Sequence, residues 1–118
     1  MKESIIQQKS YVFASCIVKA YKYLVHEQRE YVLSKQLLRS GTSVGANVEE
    51  ALAASSRADF INKLNVAAKE ARETSYWLRL LYDNDFLPHP AFESIYAHNL
   101  ELIRILSSIL LSSKATNS

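Results

Sequence analysis

A glycine- and serine-containing motif is the first feature of this sequence that could do chemistry. Gly41-Thr42-Ser43-Val44-Gly45 matches the G-x-S-x-G nucleophile elbow, in which the serine hydroxyl attacks an acyl group. That elbow needs a strand before the serine and a helix after it, whereas helical periodicity here continues through both glycines. We therefore predict no acyl-transfer site at Ser43. Gly41 and Gly45 share one helical face, and we predict that they allow a neighbouring helix to pack closely.

Histidines and carboxylates follow no pattern typical of metal binding or acid–base catalysis. Three histidines fall at helix ends or on different predicted helices, without the E-x-x-H pair of di-iron bundles: His26, His89 and His98. Four glutamates could suggest paired-carboxylate catalysis: Glu49, Glu50, Glu70 and Glu73. The last two are predicted to point away from the core, where Lys69 and Arg72 beside them favour surface salt bridges. We predict a protein that is not an enzyme and uses no cofactor or metal.

Composition and length describe one ordinary globular domain. The 118 residues suit a single domain, which we predict to cover 1–118. A charged fraction of 22% and an apolar fraction of 48% exclude a disordered chain. The single cysteine, Cys16, cannot form an internal disulfide, and we predict a small buried apolar residue there. No apolar run resembles a signal peptide or a membrane span, so we expect a cytoplasmic protein without a membrane partner.

The first half of the chain shows the apolar spacing of two long helices. The first is predicted over 4–26, with apolar residues at steps of three, four and seven: Ile6, Phe13, Ile17, Ala20 and Leu24. Ser34 is predicted to cap the second, because a serine oxygen accepts a hydrogen bond from an unpaired amide of the first turn. The apolar positions of the second helix are Leu37, Leu38, Val44, Val48, Ala51 and Leu52.

The second half predicts two further helices. Ser56, with Asp59 three residues later, predicts a capped start for a third helix that ends near Asn84. Its core stripe is Phe60, Leu64, Ala67, Ala71, Leu78 and Leu81. Pro90 suits the first turn of a fourth helix that runs to about Ser113. The inward face of this helix is Phe92, Ile95, Asn99, Leu102, Leu106 and Ile109. The predicted fold class is all-α, an up-and-down antiparallel four-helix bundle.

Apolar residues also occur outside these core stripes, which indicates a homo-oligomer. The first helix carries a second stripe: Tyr11, Ala14, Val18, Tyr21 and Val25. The third helix adds Val66, Trp77 and Leu80, and the fourth adds Leu100 and Leu111. A row of aromatic and valine side chains on one face is typical of an interface. Subunit contacts are therefore predicted at Tyr11, Val18, Tyr21, Val66, Trp77 and Leu80. The alternative is a monomer whose tyrosines stay half exposed, with their hydroxyls in water.

Positive charge is concentrated in the first third of the chain. Residues 1–39 contain seven Lys or Arg and three acids, a balance of +4, whereas 40–85 contain five and seven, a balance of −2. Candidate contacts to RNA or DNA are Lys19, Lys22, Arg29, Lys35 and Arg39. A solvated helix face explains the pattern equally well. A protein-interaction scaffold that uses Glu49, Glu70, Glu73 and Trp77, without nucleic acid, is the alternative function.

The segment LLRSGTSVGANVEEA, residues 37–51, resembles the bacterial four-helix-bundle family encoded in intervening sequences of 23S ribosomal RNA genes. The likeness extends through Ser55, Ser56, Asp59-Phe60, Lys63-Leu64, Ala68-Lys69-Glu70-Ala71, Glu73-Thr74 and Tyr76-Trp77-Leu78. This resemblance implies an up-and-down bundle that assembles as a ring, commonly a pentamer, with no enzymatic activity attached. Accessory proteins of diversity-generating retroelements are distantly similar, and they form a basic pentameric barrel that engages reverse transcriptase and nucleic acid. The resemblance thus implies an RNA, DNA or ribonucleoprotein partner.

Overall fold

Four α-helices joined by short connections make up the protein in a computed structural model, which describes the backbone of residues 2–117 and the side chains of 5–113. The helices are α1 (Lys2–His26), α2 (Leu33–Leu52), α3 (Arg57–Asp83) and α4 (His89–Asn117). Over 2–117 the backbone contains no strand, so the all-α prediction is confirmed. No helix in this range combines the length and apolar composition that a membrane span requires.

Each helix packs antiparallel to its neighbours in a closed ring of four. Between α1 and α2, rising residue numbers meet falling ones: Gln7 contacts Glu49, Ser10 lies against Gly45, and Ile17 lies against Gly41. The same holds between α1 and α4, where Lys9 pairs with Glu101 and Phe13 meets His98. It also holds between α3 and α4, where Asn99 bonds to Ala71 and Tyr82 bonds to His89. The predicted up-and-down bundle is therefore confirmed.

The predicted inward faces form one shared core. Every residue of the first stripe of α1 is buried, and Phe13, Ile17 and Leu24 are fully excluded from solvent. Leu52 departs from prediction, with 37% of its surface exposed. It is the last residue of α2, so no further turn of this helix packs beside its side chain. Phe60, Phe92 and Ile95 are only partly buried, and they pack against the edge of the core.

The start of α2 differs from the prediction that Ser34 caps it. The N-cap is Val32, which makes no side-chain capping bond. Instead the Glu30 carboxylate accepts the backbone N–H groups of Val32 (3.2 Å), Leu33 (3.0 Å) and Ser34 (2.7 Å). The Ser34 hydroxyl donates to the Glu30 backbone carbonyl at 2.8 Å. Burial raises the pKa of Glu30, but the backbone N–H bonds outweigh it and hold that pKa below its usual value.

A predicted cap begins α3, and two of the three connections, α1–α2 and α3–α4, contain a residue with left-handed backbone angles. The Ser56 hydroxyl accepts the Asp59 N–H at 3.1 Å, which confirms the predicted start of α3. Pro90 occupies the first turn of α4, where backbone N–H groups have no hydrogen-bond partner within the helix, so the missing N–H of proline costs nothing. Arg29 and Asp85 adopt left-handed backbone angles, with φ of 56° and 67°. Because few non-glycine residues adopt such angles, both connections are tightly constrained turns.

Close packing between α1 and α2 depends on the two glycines. A Cβ atom on Gly41 would lie 2.7 Å from Cγ1 and 2.9 Å from Cγ2 of Ile17. A Cβ atom on Gly45 would lie 3.3 Å from the Ser10 carbonyl oxygen. Glycine is unfavourable inside a helix by roughly 1 kcal/mol relative to alanine, and the close helix contact here offsets that cost. The glycine spacing therefore serves packing of α2 on α1.

Candidate interaction surfaces

The outward side of α1 brings exposed apolar side chains and lysines together. Tyr11 has 70% of its surface exposed and Val18 has 36%, while Tyr21 is half-buried. A shallow groove along this side is lined by Tyr11, Ala14, Ser15, Val18, Lys19 and Lys22. Lys19 and Lys22 follow Val18 and Tyr21 directly in sequence, so both lysines are displaced to the same side of the apolar stripe by about 100° of helix rotation. We call these residues the α1 face.

The α1 face is positively charged. Residues 4–26 include no Asp or Glu. Lys19 and Lys22 are exposed, and within the described part of the chain neither takes part in an ion pair. Lys9, by contrast, is paired with Glu101 of α4 at 3.3 Å. The two unpaired lysines therefore leave a positive potential beside exposed apolar surface.

The remaining predicted basic contacts lie in two different places. Arg29 is exposed in the connection that follows α1, and Lys35 is exposed in the first turn of α2. Arg39 lies further along α2, where its guanidinium binds the Glu70 carboxylate at 3.3 Å and also the Glu73 carboxylate. Its charge is thus balanced by α3.

The partners predicted for Glu70 and Glu73 are wrong. Both carboxylates pair with Arg39 from the adjacent helix rather than with Lys69 and Arg72. Lys69 and Arg72 each immediately precede one of these glutamates, and consecutive side chains on a helix point in directions about 100° apart. Packing of α2 on α3 brings Arg39 between two carboxylates that are three residues apart on α3.

Trp77 completes a polar cluster on the same side of the bundle. Its indole N–H donates to Oε2 of Glu73 at 2.9 Å, and its ring packs partly against the core. We define the α2–α3 cluster as Arg39, Glu70, Glu73 and Trp77. Val66 and Leu80, the other predicted interface residues of α3, are half-buried. Directly beneath the cluster, the buried Thr74 hydroxyl donates to the Ser40 hydroxyl at 2.9 Å, which ties α3 to α2.

The residues considered for catalysis or metal binding are dispersed. Ser43 lies within α2, and its hydroxyl donates to the Arg39 carbonyl at 2.6 Å, so the strand required by a nucleophile elbow is absent at this position. His89 contacts Tyr82 and Glu93, while His98 packs edge-on against a ring of α1. Among the described residues, no group of three or more His, Cys, Asp or Glu could hold a metal ion.

Two features of the structure have no counterpart in the sequence patterns. Asn99 faces inward, as its position in the helix predicts, but the sequence does not predict its hydrogen-bond partners. Its Nδ2 donates to the Ala71 carbonyl at 2.7 Å and to the Ser75 hydroxyl at 2.8 Å. Its Oδ1 is buried without a partner in the described structure. Cys16 is half-buried and not buried as predicted, because it lines a cavity between α1 and α4. Both features depend on which side chains meet across different helices.

The fold and its surfaces define an antiparallel four-helix bundle with charged surface patches on its outer sides. The family model for the 23S rRNA-intervening sequence protein matches residues 2–108, and the chain belongs to this family. It is similar to the crystal structure of a protein of unknown function from the S23 ribosomal protein family of Bacteroides thetaiotaomicron. The two are 54% identical, with 93% of this chain and 98% of that chain covered and a TM-score of 0.92. Comparison with curated proteins gives no match.

Proposed function

We propose that this protein is a non-catalytic homo-oligomer that binds RNA or DNA through the lysines of the α1 face. The observation that carries the proposal is the position of Lys19 and Lys22, exposed and without an ion pair beside the apolar stripe of Tyr11 and Val18. The apolar stripe contacts a neighbouring subunit, while the lysines at its edge stay accessible to phosphates. Arg29 and Lys35 extend this contact past the end of α1.

Assembly would compensate for the small charge of one copy. The whole chain carries a formal net charge of only +2, so one copy offers few phosphate contacts. Repeating the α1 face around an oligomer multiplies those contacts on a single nucleic-acid strand. The resemblance described above favours a pentamer. The family description, which names 23S rRNA, and the ribosomal protein family of the Bacteroides thetaiotaomicron protein support an RNA partner.

Size-exclusion chromatography with light scattering, with and without bulk RNA, tests assembly and binding together. We expect a discrete oligomer that co-elutes with RNA at low salt and releases it at moderate salt, because phosphate contacts weaken as counterion concentration rises. An oligomer that does not co-elute with RNA at either salt concentration would favour the protein-interaction scaffold instead. A stable monomer would contradict the assignment of the apolar stripe to a subunit contact.

Neutralising the α1 lysines should weaken nucleic-acid binding selectively. For Lys19→Gln/Lys22→Gln we expect at least a tenfold loss of affinity at low salt and a salt slope reduced by about 1 to 2 for each subunit that contacts the nucleic acid, because each subunit loses two phosphate contacts. The measurement is fluorescence anisotropy with labelled single-stranded RNA and DNA of one sequence. The matched control is Lys69→Gln/Arg72→Gln, which removes equal charge from exposed positions of α3. Equal losses in both variants, or no loss in either, would refute the assignment.

The α2–α3 cluster favours a second candidate function, a protein-interaction scaffold without nucleic acid. Trp77 is half-buried, and its indole N–H is hydrogen-bonded to the Glu73 carboxylate, so the ring is held in place with part of its surface accessible. Tryptophan is enriched among the residues that contribute most to binding at protein interfaces. If this surface holds subunits together, Trp77→Ala should weaken association by roughly thirtyfold, and Trp77→Phe by less. Light scattering over a dilution series measures this, with circular dichroism as the folding check. A folded Trp77→Ala variant of unchanged oligomer mass would exclude this surface from the subunit contact.

A further inference from the structure

A groove with an apolar part and an acidic part lies beside α1 and the α3–α4 connection. The apolar part is a cavity of about 290 Å³, lined mainly by Cys16, Ala20, Leu87, Ala91 and Ile95. A cavity of roughly 150 Å³ is enough to hold a benzene ring. The space therefore accommodates one branched or aromatic side chain.

The acidic part adjoins this cavity. It has a volume of about 540 Å³ and shares Tyr23, Leu87 and Pro88 with the apolar part as common walls. Asp83 and Asp85 line it, both are exposed, and neither forms an ion pair with the described residues.

Local bonds hold the acidic part in position. The Tyr23 hydroxyl accepts a hydrogen bond from Gln28 Nε2 at 2.7 Å. Asp85 has a left-handed backbone, and its N–H donates to the Tyr82 carbonyl at 3.1 Å. His89, also in the lining, is bonded to the Tyr82 hydroxyl and to Glu93. The groove is therefore ordered before any partner arrives, which lowers the entropic cost of binding.

We propose that this groove binds a segment of another protein that places an apolar side chain next to arginine or lysine. The apolar side chain enters the cavity beside Cys16, and the basic side chains lie over Asp83 and Asp85. Lys19 lines the apolar part of the groove and repels a basic side chain there, which favours one direction of the bound segment. The two carboxylates repel phosphates, which makes this partner different from the nucleic acid proposed for the α1 face.

A labelled peptide of stated chemistry tests the groove directly. The probe is a fluorescein-labelled glycine–serine peptide that contains one leucine and, after one glycine, two arginines. We expect saturable binding to the full chain by anisotropy. Replacing the leucine by serine should weaken binding by roughly tenfold, because the cavity loses its apolar occupant. Replacing the arginines by glutamates should abolish binding. Failure of the unmodified peptide to saturate would overturn the proposal.

Variants of the protein locate the binding. Asp83→Asn/Asp85→Asn should weaken binding of the arginine peptide by roughly five- to tenfold, and asparagine tolerates the left-handed backbone at position 85. The matched control, Glu49→Gln/Glu50→Gln, removes the same charge from exposed positions at the end of α2 that lies near Gln7. Equal weakening by both double variants would show non-specific attraction and would overturn the proposal.

The single cysteine reports occupancy of the apolar part. Cys16 lines the cavity and no other cysteine occurs, so its alkylation by a maleimide reports one site. The leucine peptide should slow this reaction in proportion to saturation, and the serine peptide should not. Binding without protection of Cys16 would place the peptide elsewhere and overturn the proposal. Protection that rises with protein concentration alone would show that a second copy covers the groove, which would also overturn it. Lys19 borders both surfaces, but Asp83→Asn/Asp85→Asn leaves Lys19 and Lys22 in place, so failure of peptide binding and failure of RNA binding are distinguishable.

Discussion

Gly41→Leu will lower the free energy of unfolding by about 3 kcal/mol or more. The first added carbon would already lie 2.7 Å and 2.9 Å from the two γ-carbons of Ile17. Ile17 is fully buried, and a β-branched side chain in a helix has one strongly preferred rotamer, so it cannot move aside. The gain in helix propensity, roughly 0.8 to 1 kcal/mol on replacing glycine, offsets only part of the cost. The helices α1 and α2 must therefore separate.

Urea unfolding followed by circular dichroism measures this loss at one fixed protein concentration, since assembly changes apparent stability. The control is Ala46→Leu, at an exposed position of the same helix, where we expect a change within about 0.5 kcal/mol. A second check combines Gly41→Ala with Ile17→Ala. Because Ile17→Ala removes the atoms that clash, the two changes together should cost less than the sum of their separate effects. Wild-type stability of Gly41→Leu would contradict the close approach of α1 and α2.

Glu30→Ala will lower the free energy of unfolding by about 2 to 3 kcal/mol at neutral pH. The Glu30 carboxylate accepts three backbone N–H groups at the start of α2, and one of them belongs to the fully buried Ser34. Without the carboxylate, that buried N–H loses its acceptor. Glu27→Ala is the control, because Glu27 is exposed and its carboxylate makes no bond in the described structure. Equal losses for the two variants would show that charge alone, and not capping, is responsible.

The contribution of Glu30 should also depend on pH. Its pKa in the folded protein is lower than the usual value of 4.5, because backbone N–H groups bind the ionised form. The ionised carboxylate therefore stabilises the folded state fully above the usual pKa, and this stabilisation is lost as the pH falls through the lower, folded pKa. The stability difference between wild type and Glu30→Gln should be constant near neutral pH and shrink in acid. A difference that does not change with pH would contradict the capping role.

Much of the fold follows from local sequence patterns. The inward stripe of α1, from Ile6 to Leu24, is buried throughout as its spacing predicts. The Ser56 cap was also predicted correctly, because a capping hydroxyl and the amide that it binds are three residues apart in the chain. The cap of α2 was assigned to Ser34 because serine is a preferred capping residue, yet a glutamate four residues earlier reaches the same amides. The preference of serine for helix starts identified where α2 begins. The path of the connecting turn determined that the Glu30 carboxylate accepts the amide hydrogen bonds there.

The sequence by itself determined the four helices, the face that each helix buries and the packing role of Gly41 and Gly45 in α2. It also determined membership of the family. Helical periodicity and a long ordered motif are properties of neighbouring residues, so both can be read from the chain alone. Only the tertiary structure decided that Arg39 binds Glu70 and Glu73, and that Cys16 and Asp85 line adjoining parts of one groove. These groups are tens of residues apart in the chain. They meet because antiparallel packing aligns particular turns of different helices, and that alignment depends on the core as a whole.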